Sequence, residues 1–393
     1  MMRRRKKALS ALLIGLLWLS GCGSPSSDSD AMSKNAAGTE TEVRTGEKTP
    51  LVYERSAELS YANNFTVDYY EGGYVLLTTT IDDAQFLIVP EGKEAPENLD
   101  DKIMVVKRPV KNIYLVASAV MDMFCNLNGL DAIGFSGQKE EDWYIEGARE
   151  AMHEGDILYA GKYNKPDYER IVSNHCALAI ENTMITHSPE VVEKLEEFGI
   201  PVMIDYSSYE SHPLGRVEWV KFYGALLGRE EEAEEIFAEQ EEILERVSAS
   251  EKTEKTVAFF YITSGGMVQV RQSSDYIPKM IELAGGKYIF EDLGDFESKR
   301  STVNMQVEEF YAGAKDADYL IYNSSIDGGV SDMEELLDKC GLLADFRAVG
   351  EGNVWCTTND MYQQSLSIGY LMEDMHAMLR GEEDTMHYLY HLD

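Results

Sequence analysis

The stretch PLGRVEWVKFYGALLGREEEAEEIFAEQEEILERVSASEK, residues 213–252, contains no strand signal and is helical in pattern almost throughout. Its second half consists nearly entirely of strong helix formers. Gly224 and Gly228 indicate a break between an apolar helix and a charged one. The three glutamates at 230–232 then lie at the positive end of the second helix, where negative charge is stabilising. The stretch predicts a long helical segment in the middle of the chain.

The segment SSYESHPLGR, residues 207–216, leads into this helix and packs two serines, a glutamate and a histidine into five positions. Members of a catalytic triad converge from separate loops, whereas adjacent residues point alternately to opposite sides. Pro213, with a fixed φ and no N–H, suits a first helical turn. We therefore interpret the segment as a junction, at which Ser211 or His212 caps the helix.

Short apolar strands alternate with helical patterns on both sides of the helical segment. The strand patterns are NIYLVAS at 112–118, DILYAG at 156–161, CALAIEN at 176–182, IPVMIDY at 200–206, TVAFFYITS at 256–264, ADYLIYNSS at 317–325 and GNVWCTT at 352–358. In SPEVVEKLEEFG, Ser188 is placed to cap a helix and Gly199 to end it. Such alternation favours a parallel sheet flanked by helices in each half. A rigid helical connection between the halves would permit only modest lobe motion.

An antiparallel meander is predicted before the first lobe. FTVDYYEGGYVLLTTTIDDAQFLIVP, residues 65–90, contains three alternating or apolar runs separated by EGG and DD turns. The predicted fold is therefore α/β, with two doubly wound, Rossmann-like lobes joined by a long helical linker and an N-terminal β-meander added to the first lobe.

The N-terminus is typical of an export signal. Five basic residues at 3–7 precede the apolar run ALSALLIGLLWLSG, which is too short to span a membrane comfortably. Residues 23 to about 50 are poor in large apolar side chains, which predicts a flexible tether. An uncleaved anchor helix is the alternative, and under either interpretation the protein is exported and tethered. The predicted parts are a signal peptide at 1–21, a tether at 22–50, a β-rich extension at 51–110, a first lobe at 111–212, an inter-lobe helical segment at 213–250 and a second lobe at 251–393.

The chain is strongly acidic, with a formal charge of −35. Removal of the five basic residues of the signal takes this to −40, so nucleic acid and anionic lipid surfaces are disfavoured partners. Four cysteines, Cys125, Cys176, Cys340 and Cys356, follow the signal without CxxC spacing. A metal cluster is therefore not expected, and disulfide pairing stays open. We expect a monomer without a cofactor of its own.

The order of these elements resembles the helix-hinged (class III) solute-binding proteins of ABC importers for cobalamin, ferric siderophores and haem. The resemblance covers roughly residues 110–380, and its carriers are the helical segment and three further stretches. These are NIYLVASAVMDMFCNLNGLDAIGFS at 112–136, PDYERIVSNHCALAIEN at 166–182 and LAGGKYIFED at 283–292. The meander departs from the minimal family pattern. The resemblance implies a binding protein, not an enzyme, that delivers a small-molecule metal complex to an importer permease.

Three further residues take roles from resemblance alone. LSGC, residues 19–22, resembles the lipobox of bacterial lipoproteins, which implies cleavage before Cys22 and a membrane anchor through lipid on its thiol. Family members dock one surface glutamate of each lobe on permease arginines. Motif matching implies Glu169 in the first lobe and Glu308, with Glu309 as its rival, in the second. A carboxylate can form a bidentate pair with arginine, and two such points fix orientation.

Ligands of two-lobed α/β proteins bind at the carboxyl ends of the strands, so the loops that follow the strands supply the candidate ligand residues. These are Ser118, Trp143, Tyr144, Lys162, Tyr163, Asn182, Met184, Tyr206, Tyr209, Arg271, Asn323 and Tyr362. Aromatic and basic side chains suit a flat or catecholate-bearing metal complex through stacking and cation–π contacts.

Other function classes are weighed against this one. Capture of a bare divalent ion needs several converging His and carboxylate side chains, and no histidine occurs between residues 213 and 375. An exported hydrolase would use Ser208 or Ser264 with His187 or His212. The sequence TSGG at 263–266 lacks the elbow that exposes a nucleophile between strand and helix. A sensory or adhesive surface module stays open.

Overall fold

Three large β-sheets and one two-stranded hairpin organise the residues that the computed structural model describes, which are 51–294, 301–382 and 386–393. The predicted signal peptide, the tether and Cys22 lie outside these residues. Within the described ranges, no helix has the length and apolarity needed to cross a membrane.

The first sheet is formed by the N-terminal extension. Its strands are β1 (Tyr53–Ser56), β2 (Phe65–Tyr70), β3 (Tyr74–Thr79), β4 (Ala84–Val89) and β5 (Ile103–Lys107), in that spatial order. Strands β2, β3 and β4 pair antiparallel, so the meander predicted for residues 65–90 is confirmed. Strand β5 pairs parallel with β4, which requires the connecting residues to cross over the sheet.

The first lobe is built on a fully parallel five-stranded sheet. Its strands are β6 (Ile113–Leu115), β7 (Ile133–Ser136), β8 (Leu158–Tyr159), β11 (Ala179–Asn182) and β12 (Val202–Asp205), in the order β12-β11-β6-β7-β8. Its helices are α1 (Ser118–Asn126), α2 (Glu146–Glu154), α3 (Tyr168–Ser173) and α4 (Pro189–Glu197). A small hairpin, β9 (Gly161–Lys162) and β10 (Lys165–Pro166), follows β8. The order reverses between β6 and β11, so their carboxyl ends mark the crevice where ligands bind in such sheets.

The connection between the lobes is a hairpin of two helices, α5 (Pro213–Leu227) and α6 (Glu230–Ser248). The break predicted at Gly228 is confirmed, because this residue ends α5 with a left-handed φ of 76°. Gly224 lies inside α5, where a Cβ atom would come within 2.6 Å of the Cβ of Ala233. Glycine therefore permits α6 to fold back closely on α5, a return that the predicted break between the two helices did not specify.

The start of α5 matches the interpretation of the preceding segment as a junction. His212 occupies the N-cap position, and its Nδ1 accepts a hydrogen bond of 3.2 Å from the N–H of Leu214. Pro213 takes the first helical position, where its missing N–H removes no intrahelical bond. The His212 ring also stacks on Tyr61 of the extension, with 4.5 Å between ring centroids.

The second lobe contains a mixed sheet. Its strands are β13 (Thr256–Ile262), β14 (Val268–Arg271), β15 (Lys287–Tyr288), β16 (Thr302–Met305), β17 (Tyr319–Tyr322), β18 (Val354–Thr357) and β19 (Leu389–His391). The helices are α7 (Tyr276–Leu283), α8 (Val307–Ala314), α9 (Met333–Lys339), α10 (Arg347–Glu351) and α11 (Ile368–Arg380). The parallel strands β13, β17 and β18 agree with the predicted strand patterns. Strand β15 adds a short parallel pairing, and β14, β16 and β19 are antiparallel additions.

Helix α5 is apolar on nearly all sides and lies in the middle of the largest hydrophobic core. That core runs from Phe65 of the extension, through α5, to Met375 of α11 in the second lobe. A helix buried all round belongs to an interior rather than to an exposed linker. The extension, both lobes and their connection are therefore packed around one continuous interior, with α3 and α4 covering the other face of the first lobe.

Candidate functional site

A cavity of about 340 Å³ lies where the second lobe meets the junction segment and the start of α5. Its walls come from β13, β14 and the loops after β17 and β18, and Ser208 and Arg216 contribute from the other side. Three sequence-predicted ligand residues, Arg271, Asn323 and Tyr362, line this cavity together. The carboxyl ends of parallel strands thus meet here, as expected for an inter-lobe ligand site.

The Tyr362 hydroxyl is the centre of a buried polar cluster in this cavity. It accepts a hydrogen bond from Nη2 of Arg271 and another, of 2.8 Å, from Nδ2 of Asn323. The Arg271 guanidinium is also 3.6 Å from the carboxylate of Asp275. Burial opposes the charge of Arg271, but Tyr362, Asp275 and the neighbouring tyrosines outweigh it and raise the pKa of Arg271. The cavity therefore contains a permanent positive charge.

The location of Arg271 differs from the prediction. The sequence placed it in a loop after β13, whereas it ends the antiparallel strand β14, which a turn over residues 263–267 connects to β13. Because strand residues are held by a backbone ladder, its side chain is fixed more rigidly than a loop residue would be. Its exposed fraction is only 8%.

A second guanidinium, that of Arg216, was missed by the sequence analysis. It stacks on the ring of Tyr276 at 3.9 Å and donates a hydrogen bond of 3.3 Å to the backbone carbonyl of Ser208. The candidate ligand residues were predicted in loops that follow strands, whereas Arg216 belongs to the first turn of α5. A basic residue beside a junction in so acidic a chain was the available signal.

Four buried oxygens in the loops after β17 and β18 have no hydrogen-bond partner among the described residues. They are Asn323 Oδ1, Thr358 Oγ1, Asn359 Oδ1 and Asp360 Oδ1. Buried polar atoms of native proteins are normally paired with protein, water or ligand. The cavity edge thus offers acceptors, of which Asn323 Oδ1 belongs to a lining residue.

In the first lobe, five predicted ligand residues lie at or just after the carboxyl ends of strands. Ser118 opens α1 after β6, and Asn182 ends β11 and accepts a hydrogen bond of 2.9 Å from the N–H of Met184. Tyr144 and Met184 are exposed, with relative accessibilities of 51% and 47%, and Tyr209 is partly buried. None of the five lines the 340 Å³ cavity. They stay candidates for contacts with a ligand larger than this cavity.

Two predicted aromatic ligand residues are buried in the interior. Trp143 is 2% exposed, and its indole N–H donates a hydrogen bond of 3.1 Å to Ser136 Oγ. Tyr206 is 4% exposed, and its hydroxyl donates to Asp82 Oδ2 of the extension at 3.1 Å. Both rings are packed in the large hydrophobic core and offer no free face in this conformation. Their predicted ligand contacts are therefore corrected to packing roles.

The remaining two predicted ligand residues, Lys162 and Tyr163, lie in the β9–β10 hairpin. Lys162 is exposed, and Tyr163 packs against the core that lies under α3 and α4. Neither lines the cavity. A hairpin had not been predicted after β8, so the sequence analysis treated these positions as an ordinary loop at the ligand side of the sheet.

A bare-metal site needs a group of ligating side chains, and a serine hydrolase needs a Ser–His pair. In the described part of the chain, no group of three or more His, Cys, Asp or Glu side chains is arranged to hold a metal ion. No hydrogen bond among the described residues joins Ser208 or Ser264 to His187 or His212. Instead, His212 Nδ1 is engaged by the N–H of Leu214. The four described cysteines are free thiols.

The sequence of residues 134–361 matches the family model for periplasmic binding proteins, which is more than half of the chain. The chain belongs to the periplasmic binding protein family. The two-lobed α/β architecture predicted from the sequence is that of this family and is confirmed.

Similarity to individual proteins agrees with this assignment. An uncharacterized lipoprotein, MJ0878, of Methanocaldococcus jannaschii is 27% identical over 337 residues, which are 78% of each chain. The periplasmic haem-binding protein HutB of Vibrio cholerae superposes with a TM-score of 0.54 at 14% identity, over 67% of this chain and 97% of its own. The vitamin B12-binding protein BtuF of Vibrio cholerae gives 0.51 at 16% identity, over 70% and 99%. At such identities the two solved structures establish the fold alone.

Proposed function

We propose that this periplasmic binding protein captures a metal complex between its lobes and delivers it to the permease of an ABC importer. The complex is a ferric siderophore, haem or a corrinoid, and lipid on Cys22 holds the protein at the outer face of the cell membrane. The observation that carries the proposal is the pair of guanidiniums, Arg216 and Arg271, in a cavity with aromatic walls. In a chain of charge −35, two such groups are a local exception.

The chemistry of the cavity favours an anionic complex with a flat or aromatic part. Guanidiniums bind carboxylate and catecholate oxygens through directed hydrogen bonds, and Phe259 and Tyr276 offer ring surfaces. Ile326, which is half exposed, extends the apolar wall. The cavity volume of about 340 Å³ is at the lower end of the range for small-molecule sites. This size favours a compact ferric chelate, with the exposed Tyr144 and Met184 available to a larger ligand.

The ligand class is tested by tryptophan fluorescence titration against a panel of ferric siderophores, haem, corrinoids and free divalent ions. We expect a saturable response to at least one metal complex with a dissociation constant in the micromolar range or below. Titration of a free tryptophan derivative with the same compounds serves as the control for nonspecific quenching. Tight binding of a bare ion, together with no response to any complex, would contradict the proposal.

The permease-docking part of the proposal concerns Glu169 and Glu308. Both carboxylates are exposed, and each belongs to the first turn of its helix, Glu169 in α3 and Glu308 in α8. Glu309 is exposed beside Glu308 and stays its rival. One such helix belongs to each lobe, which supports two separate docking points for permease arginines.

Reversing both charges, as Glu169→Lys with Glu308→Lys, is expected to reduce cellular uptake at least tenfold while ligand affinity stays within twofold. The reason is that lysine facing arginine replaces attraction by repulsion at an exposed interface. The matched control is Glu196→Lys with Glu235→Lys, which changes the net charge equally at exposed positions of α4 and α6. Equal uptake by the two double variants would show that Glu169 and Glu308 do not dock.

A further inference from the structure

The five residues 362–366, between β18 and α11, connect the cavity with the first lobe. Tyr362 lines the cavity and is held there by Arg271 and Asn323. The residues that follow it make hydrogen bonds to segments more than 200 positions earlier in the chain. A residue that lines the cavity is therefore followed directly along the chain by residues that bond to the first lobe.

The Gln363 side chain bridges to the first lobe with both ends of its amide. Its Oε1 accepts a hydrogen bond of 2.8 Å from the N–H of Tyr144. Its Nε2 donates one of 2.8 Å to the carbonyl of Asp142. Because both partners are backbone atoms of one short segment, this amide fixes position and orientation together. The bonded segment also holds Tyr144, the exposed aromatic candidate of the first lobe.

Ser365 and Leu366 attach the same segment to helix α1. Ser365 Oγ donates a hydrogen bond of 2.6 Å to the carbonyl of Ala119. The N–H of Leu366 donates one of 2.8 Å to Asp122 Oδ2. The Asp122 carboxylate is buried, and its Oδ1 accepts a hydrogen bond of 3.0 Å from Nδ2 of Asn126 on the same helix. Together with Gln363, this makes four hydrogen bonds between the lobes within four consecutive residues.

We propose that residues 362–366 form a clasp that holds the second lobe on the first and makes this contact sensitive to the position of Tyr362. Asp122 is the acceptor through which acidification tightens the clasp. The coupling to a ligand rests on the proposed function, since it requires that a bound complex touch Tyr362. The clasp itself does not, because its four hydrogen bonds join protein atoms only.

The direction of the pH effect follows from the surroundings of Asp122. Burial raises the pKa of this carboxyl to about 6, although the Leu366 N–H and Asn126 counteract the shift. Separation of the lobes would hydrate the carboxyl and return its pKa toward the ordinary value of 3.8. Between these two pKa values the joined state of the lobes binds more protons than the separated state. Lowering the pH from 7 to 5 therefore shifts the equilibrium toward the joined state by about tenfold.

Two groups that interact with Asp122, Cys125 and Tyr388, stay neutral between pH 7 and pH 5. Cys125 on the same helix interacts with Asp122, and burial raises the pKa of its thiol to about 12. Tyr388 of the second lobe also interacts with Asp122, and burial raises its pKa to about 12. The negative charges of Asp360 and Asp374 also raise the pKa of Tyr388. Asp374 is buried and bonded within the second lobe, so it provides the control for a general effect of acid.

Hydrogen exchange of the ligand-free protein, followed by mass spectrometry on a peptide that spans residues 360–368, tests the clasp. After correction for intrinsic rates, we expect wild-type protection to rise about tenfold between pH 7 and pH 5. The Asp122→Asn variant should be protected equally at both pH values. The Asp122→Ala variant should lose the protection at both. The Asp374→Asn variant should retain the wild-type pH dependence in this peptide. Its effect should instead be faster hydrogen exchange at residues 387–389.

Two results would overturn the clasp: pH-independent protection of this peptide in the wild type, or unchanged protection in Asp122→Ala with a native circular dichroism spectrum. Failure of every metal complex in the fluorescence panel would remove the proposed ligand class and leave the exchange result unaffected. The two proposals are thus separable in one set of samples.

Discussion

Glu218→Ala is expected to lower the free energy of unfolding by about 3–5 kcal/mol and to release the N-terminal extension from α5. The Glu218 side chain is fully buried in a helix that is enclosed on nearly all sides. Its two carboxylate oxygens accept hydrogen bonds of 2.8, 2.8 and 2.7 Å from the N–H groups of Ser60, Tyr61 and Ala62. Alanine would remove the acceptor of all three donors; the bond from Ala62 is buried, and those from Ser60 and Tyr61 are partly buried.

The expected loss is large because the contact is both charged and shielded from water. Lys221 lies one turn further along α5, with its Nζ 3.6 Å from Glu218 and 3.0 Å from Glu234. Removing Glu218 would leave Lys221 with Glu234, whose side chain is 61% exposed, as its remaining ion-pair partner. Glu210 holds the next two N–H groups, those of Asn63 and Asn64, and its loss should have a similar but separate effect.

Urea unfolding followed by circular dichroism measures the loss, and hydrogen exchange of a peptide over residues 57–66 shows where it occurs. Glu235→Ala, at an exposed position of α6, is the matched control and should change the unfolding free energy by less than about 0.5 kcal/mol. A loss below 1 kcal/mol in Glu218→Ala would mean that water replaces the carboxylate, and that the extension is held by its apolar face alone.

The sequence predicts the lobes well because each strand and helix is encoded locally. The run CALAIEN and the punctuation of SPEVVEKLEEFG depend on period and caps within a few residues. Gly199 does end α4 with a left-handed φ of 75°, whereas Ser188 occupies the N-cap without a side-chain hydrogen bond. The return of α6 along α5 could not be predicted in this way, because it depends on the contact between Gly224 and Ala233.

The site was predictable only where topology decides position. The rule that ligands lie at the carboxyl ends of parallel strands placed Asn323 and Tyr362 together, whereas Arg271 reaches the same cavity from the antiparallel strand β14. The burial of Trp143 and Tyr206 depends instead on single partners, Ser136 Oγ and Asp82, and no local pattern encodes such pairs. Pattern analysis therefore predicts which segments approach the cavity better than it predicts the burial of each side chain.

The sequence also contained a signal at Glu218 that the pattern of strands and helices did not capture. A glutamate within VEWVKFYG, in a helix predicted to be apolar, cannot be buried without donors to its carboxylate. The donors are backbone N–H groups of the extension, 156 to 158 residues away. A charged residue in an apolar helical run thus indicates that another segment covers it, although not which segment.

Arg271→Gln is expected to weaken binding of any metal complex that the wild type binds by about 100-fold, or about 2.7 kcal/mol. The guanidinium is buried, so its attraction for a ligand anion is weakly screened. Arg216→Gln should cost about tenfold, since Arg216 is only partly buried and water screens its charge. The ratio between these two losses separates a buried anion contact from a general effect of positive charge in the cleft.

Titration of both variants at low and high salt provides the decisive measurement. The loss in Arg271→Gln should persist in 1 M salt, where the Debye length is about 3 Å, whereas that in Arg216→Gln should shrink. Arg271 also pairs with Asp275, so a thermal unfolding curve must accompany each titration to exclude a damaged fold. If a folded Arg271→Gln protein binds within twofold of the wild type, the ligand anion does not contact this guanidinium, and the cavity would then select its ligand through the tyrosines and the unpartnered Asn323 Oδ1.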